Sequence, residues 1–235
     1  MVGGVGSRGV GLIEVYADVW CPFAHVGLRS AVARRDTLAR RDMVLQVRAW
    51  PLELVNGTPL DPMVTAGHVR DLRRQVAPDL FRHFDPEHFP RSSLSALALA
   101  AAAYRMEERT GEAVSLALRD ALFEGGCDVS DPQVLAGLAR AHGVDDPGDE
   151  DLETVYTQWH EGQSRGVRGS PHFFCGEAEA LCPSLEISTD AGGHLDLRQN
   201  MGALEDFLAR CFDESPPEDA TGPEDPGGVR GGNGR

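Results

Sequence analysis

The stretch Leu12–His25, LIEVYADVWCPFAH, decides how this chain is read. Its first eight residues, LIEVYADV, are apolar and β-branched enough to predict a buried strand. Cys21 and Pro22 end that strand and open a helix, predicted to run to about Arg40 with Ala24, Leu28, Ala31 and Val32 on one face. Proline suits the first turn of a helix, because its missing N–H would have had no partner there. The segment MVLQVRAW follows, with Met43, Leu45, Val47 and Ala49 alternating with Gln46 and Arg48, and predicts a second strand. Strand, helix and strand over some forty residues make a βαβ unit, which requires parallel strands and a right-handed crossover.

Working outward, residues 61–165 read as helical throughout. Ser92 or Ser93 opens an alanine-rich helix to about Arg109, and Glu112 to Glu124 is another. Ser130-Asp-Pro-Gln133 reads as a capping box for a helix that stops near Gly143, and Leu152 to Ser164 forms the last of the group. The segments SPHFFCG and LEISTDAGGHLDL then predict two short strands paired as an antiparallel hairpin, before a closing helix capped by Asn200. Residues 1–11 and 214–235 read as disordered termini, the second being proline, glycine and acid with almost no apolar side chain. The order is βαβ, a helical block, then ββα. This is an α/β chain with a thioredoxin-like domain in two pieces, 12–60 and 166–212, and an inserted helical domain at 61–165.

Composition removes several functions. The formal charge of −15 argues against a nucleic-acid partner, since such binding rests on clustered cations that neutralise phosphates. All 22 basic residues are arginine, so lysine chemistry of the Schiff-base or P-loop kind is excluded. The longest strongly apolar run, Ala96–Ala103, is far short of the ~20 residues that span a bilayer. The N-terminal segment MVGGVGSRGVG lacks the basic and apolar regions of a secretion signal, so a cytoplasmic location is expected. The five cysteines, 21, 127, 175, 182 and 211, show no metal-type clustering and read as free thiols.

Other patterns fail on context. Gly4-Val-Gly6-Ser-Arg-Gly9 has no strand before it and no helix after it, so it is not a nucleotide loop. Gly162-Gln-Ser164-Arg-Gly166 follows a helix where a nucleophile elbow needs a strand. His83, Asp85, Glu87 and His88 are broken up by Pro86 and read as a solvated loop, with no metal. Arg70, Arg73 and Arg74 share a helix face and read as solvated surface.

Cys21 is the chemical signal. A thiol in the first turn of a helix meets unpaired backbone N–H groups and the positive end of the helix dipole, and both favour the nucleophilic thiolate. On this basis its pKa is expected below the ordinary value, with His25 one turn on as a further positive charge when protonated. The second signal is GVRGSPHFF, where Pro171 stands at a strand's first residue. Such a proline suggests a cis Ser170–Pro171 bond that turns the Ser170 backbone toward the thiol, where an extended peptide or glutathione can pair with it.

These motifs carry a resemblance. The chain resembles the DsbA family of thioredoxin-fold proteins, nearest the FrnE-like dithiol–disulfide isomerases. Their neighbours are the kappa-class glutathione transferases and 2-hydroxychromene-2-carboxylate isomerases. The resemblance covers about residues 12–212 and rests on ADVWCPFAHVG, ALFEGGCDVSDPQVLAGLA and GVRGSPHFF. It implies a catalytic Cys21 within the motif Pro22, Phe23, Ala24 and His25, and substrate docking on Ser170, Pro171 and Trp20. It implies a thiol or disulfide substrate, no tightly bound cofactor, and glutathione as a candidate co-substrate. Oligomeric state stays open, a homodimer included.

Redox members of the family carry Cys-x-x-Cys, whereas here the second position is Ala24; the glutathione-using neighbours usually have serine where this chain has Cys21. Three functions therefore stand side by side: a monothiol oxidoreductase or isomerase, a glutathione-dependent transferase or isomerase of a small electrophile, and a redox-inactive binding module. Cys21 alone can form a mixed disulfide but cannot release its partner from within its own motif. Cys175, ~13 Å along its strand from Pro171 at ~3.3 Å per residue, and Cys182 in the turn beyond read as poor resolvers. Cys127, in the FEGGC loop of the helical block, is the candidate second thiol.

Overall fold

The computed structural model describes residues 11–189 and 195–213; the expected disordered termini, Gly11 apart, lie outside them. Gly11 itself opens the first strand. Strand β1 (Gly11–Ala17) leads through the Asp18–Cys21 turn into α1 (Pro22–Thr37), and β2 (Met43–Ala49) returns parallel to β1. Register pairs Ile13 with Leu45, Val15 with Val47 and Ala17 with Ala49, so one sheet face is continuously apolar. The helical block then runs through α2 (Leu52–Asn56), α3 (Pro62–Gln75), α4 (Leu94–Met106), α5 (Glu108–Phe123), α6 (Pro132–His142) and α7 (Asp149–Arg165). It is less uniformly helical than its composition suggests. Between α3 and α4 only Pro86–His88 forms a 3-10 turn, because Pro78, Pro86 and Pro90 deny the backbone its donors. The cap of α6 is Asp131, whose carboxylate accepts from Gln133 N at 2.7 Å, whereas the Ser130 hydroxyl is taken by Asp128.

The C-terminal part differs from its sequence reading. His172–Cys175 (β3) does not pair with the LEIST segment. It turns at Gly176, φ 55°, and pairs antiparallel with β4 (Ala178–Leu181). The LEISTDAGGHLDL segment instead supplies a hairpin of its own, β5 (Leu185–Thr189) with β6 (Leu195–Gln199), before α8 (Met201–Asp213). The main sheet has the order β2-β1-β3-β4, with β3 antiparallel to β1.

The sheet is covered on both faces. Ile13, Val15, Leu45, Val47 and Phe173 pack with Leu28 of α1 and with Leu204, Phe207 and Leu208 of α8. Each such side chain contributes about 1.5–3 kcal/mol when taken from water. The opposite face, Tyr16, Trp50 and Phe174, meets α7 at Gly162, where a Cβ would stand 2.7 Å from the Trp50 ring. A glycine that resembles part of a hydrolase motif is thus a point of helix-on-sheet contact. No helix among the described residues is long and apolar enough to cross a membrane.

Candidate active site

Cys21 is the N-cap residue of α1, extended at φ −80° and ψ 113°, with Pro22 in the first turn. The parallel β1–β2 pair fixes where β1 ends, and the antiparallel β3 brings its own beginning to the same place. The Ser170–Pro171 peptide bond is cis. The two motifs, 149 residues apart, meet there: Cys21 Sγ donates to the Ser170 carbonyl oxygen at 3.1 Å, and the Ser170 hydroxyl accepts from Asp18 N at 2.9 Å. Gly27 lets α1 lie against this segment, since a Cβ at that position would stand 3.1 Å from Pro171 Cγ.

The site is buried more deeply than the motif suggests. Cys21 is only 4% exposed. Burial pushes its thiol up, overriding the opposing hydrogen bonds from Ser170 and from the Phe23 and Ala24 backbone. This reverses the expectation of a depressed thiol: the helix N-terminus acts in the anticipated direction, but loss of water outweighs it. Iodoacetamide alkylation of Cys21 should therefore show a midpoint above the ~8.5 of an ordinary cysteine. A midpoint below that value would restore the depressed-thiol reading.

Two further sequence expectations are corrected. His25 faces the helical block instead of the thiol, its Nε2 donating to Glu124 at 2.8 Å, packed among Phe81 and Phe123. Burial lowers its pKa, so it stays neutral and supplies no positive charge to Cys21. Glu124 also accepts from Phe81 N and Arg82 N, and the histidine thereby ties the motif helix to α5. Trp20 has no exposed surface and stacks on Phe89 at 5.7 Å, so it is an anchor of the helical block's core and offers no docking surface. Phe23 is the partly exposed aromatic of the motif, against His68 of α3 at 5.4 Å.

Asp18 and Arg119 were not foreseen. Both are buried, at 0% and 1% exposure. The Asp18 carboxylate accepts from Trp20 N and Leu52 N, holding the strand-to-helix turn, and Arg119 donates to the Asp18 carbonyl at 3.1 Å. Burial pushes Asp18 up to about 6 and draws Arg119 down to about 10, with each charge opposing its partner's shift. The only sequence signal was an acidic residue closing a buried strand. Cys127, the candidate second thiol, is bound to its own loop, Sγ to Gly125 O at 3.7 Å, next to Gly126, which lies against the His83 carbonyl; no contact among the described residues joins it to Cys21.

The family model for the DSBA-like thioredoxin domain matches residues 12–189, and the chain belongs to that family. Its fold is the mixed α/β, thioredoxin-like arrangement of that domain. A protein assigned as a protein disulfide isomerase from Nitrosomonas europaea superposes with a TM-score of 0.63 at 17% identity, over 86% of this chain and 98% of that one. A 2-hydroxychromene-2-carboxylate isomerase gives 0.59 at 16% identity, over 86% and 97%. The cytosolic disulfide reductase DsbM from Pseudomonas aeruginosa, solved with GSH, gives 0.57 at 13% identity, over 86% and 99%. No curated protein sequence matches the chain. At these identities the structural likeness carries the fold alone.

Proposed function

We propose that this protein is a thiol–disulfide oxidoreductase or isomerase that acts through the single motif cysteine Cys21, with the Ser170–Pro171 backbone as the docking edge for its substrate. The observation that supports it most is the 3.1 Å approach of the Cys21 thiol to the Ser170 carbonyl at the start of α1. A disulfide substrate laid along that edge presents its sulfur to Cys21. The Cys21 thiolate attacks one sulfur, a mixed disulfide forms, and the other sulfur leaves as a thiolate. Glutathione serves as outside thiol. The same reading takes the protein as cytoplasmic, the compartment in which an active-site thiol stays reduced.

One observation favours a second reading. The buried Cys21 holds its proton, and a neutral thiol can donate a hydrogen bond to a glutathione thiolate, as a glutathione-dependent transferase or isomerase requires. One panel separates the two. Under the first reading, exchange with a dithiol-coupled disulfide is present in wild type and lost in both Cys21→Ser and Cys21→Ala. Under the second, glutathione turnover of 1-chloro-2,4-dinitrobenzene persists in Cys21→Ser, whose hydroxyl still donates, and disappears in Cys21→Ala. Exchange that survives Cys21→Ser removes the first reading.

A further inference from the structure

We propose that Cys182 is the resolving thiol of this site, taking the part that Ala24 leaves vacant in the motif. The inference rests on Cys21 being the nucleophile. The turn at Gly176 folds β4 back along β3, and the pairs Phe173–Ala180 and His172–Leu181 bring the chain past the start of β3. The next pair is Pro171 with Cys182, held by Cys182 N donating to the Pro171 carbonyl at 3.0 Å. Residues opposite each other in an antiparallel pair share a face, and alternate residues along a strand do too. Phe173 faces the cluster that contains Cys21, and Pro171, two residues before it, meets α1 at Gly27.

The loop Cys182–Ser184 is pinned under α1. Ser184 Oγ lies 3.7 Å from where a Gly27 Cβ would stand, on the helix that Cys21 caps, and Leu185 N closes the turn on Cys182 O at 3.0 Å. Cys182 itself adopts φ 46°, a left-handed conformation that costs a side-chain-bearing residue energy and clusters at functional sites. It is half-buried, and a negative charge on Cys21 opposes one on Cys182. Burial contributes more, and together they push Cys182 up to about 12. Once Cys21 is bound to a substrate sulfur it carries no charge, and its opposition to a Cys182 thiolate ends.

The step balances without an added oxidant. The substrate disulfide R–S–S–R′ first yields the Cys21–S–S–R mixed disulfide and R′–SH. Cys182 sulfur then bonds to Cys21 sulfur, the Cys21–S–R bond breaks, and the Cys182 proton goes to the departing R–S group. The substrate disulfide has been reduced to two thiols, and the protein has lost the same two electrons into a Cys21–Cys182 disulfide, which two glutathione molecules can reduce.

The test incubates the native protein with oxidised glutathione, alkylates the remaining thiols and maps the digest by mass spectrometry without reduction. Wild type should carry a Cys21–Cys182 cross-link and no stable glutathione adduct. Cys182→Ser and Cys182→Ala should instead accumulate glutathione on Cys21, and Cys127→Ser should behave as wild type. A stable glutathione adduct on wild-type Cys21, or a cross-link to another cysteine, overturns the assignment of Cys182 while keeping Cys21 as nucleophile. No modification of Cys21 in any of these proteins overturns both.

Discussion

Arg119→Leu is expected to lower the unfolding free energy at pH 7 by about 1–3 kcal/mol, the range for leaving buried hydrogen-bonding groups unpaired. The effect should depend on pH, because the buried Arg119 charge also holds the Asp18 value down. Its folded value of about 6 lies above the 3.8 of an unperturbed aspartate, so the folded state holds the proton more tightly. Stability from this group is therefore lost as pH rises from 3.8 through 6, a penalty of about 3 kcal/mol once Asp18 is fully ionised. Arg119 limits that penalty, and without it the Asp18 value climbs further. At pH 4 the folded-state carboxyl is already protonated, and only the lost hydrogen bonds to the Asp18 and Ser115 carbonyls remain. Urea midpoints at pH 4 and pH 7 should show the larger loss at pH 7. Equal losses would mean that charge is not what Arg119 supplies to this turn.

In a Cys182→Ser background, Ala24→Cys is expected to raise reduction of insulin disulfides at least about tenfold over Cys182→Ser alone, because a thiol held beside the mixed disulfide replaces a diffusing one. Ala24 lies one turn into α1 with no exposed surface, in the same apolar cluster as Cys21. A buried cysteine behaves as a small hydrophobe, so the helix should accept it. Cys21 stays the attacker at the helix start, and position 24 becomes the resolver. The new thiol does not need the loop under α1, so the gain is read against Cys182→Ser. Turbidity assays on wild type, Ala24→Cys, Cys182→Ser, the double variant and Cys21→Ser measure this. If Ala24→Cys forms its internal disulfide yet gains nothing, the pocket is shaped for something other than protein disulfides, and the glutathione-dependent reading moves ahead.

Much of the site was legible because its chemistry is local. A cysteine and proline at the junction of an apolar strand and an amphipathic helix specify the N-cap position of Cys21 whatever else the chain does. The parallel register of β1 and β2 followed from alternation in MVLQVRA. The hairpin at the C-terminal end was read wrongly for an equally local reason. FFCGEAEA has weak alternation, and the two-residue turn at Gly176 and Glu177 was passed over in favour of a longer connection. Without that turn Cys182 trails away from Pro171, whereas the pairing of β3 with β4 brings it back.

The sequence by itself determined the βαβ start, the helical block in the middle, the position of Cys21 at a helix end and the absence of a second thiol at position 24. Periodicity, proline placement and charge act over a few residues, and a single chain displays them directly. Only the tertiary structure decided what surrounds Cys21. Its burial beneath Ser170 turns the helix-end thiol from depressed to raised, because desolvation depends on every segment that covers the sulfur. The same packing draws His25 to Glu124, buries Trp20 against Phe89 and sets the Asp18–Arg119 charges below the motif. Those are contacts between residues tens to more than a hundred positions apart, and no local pattern encodes which of them will meet.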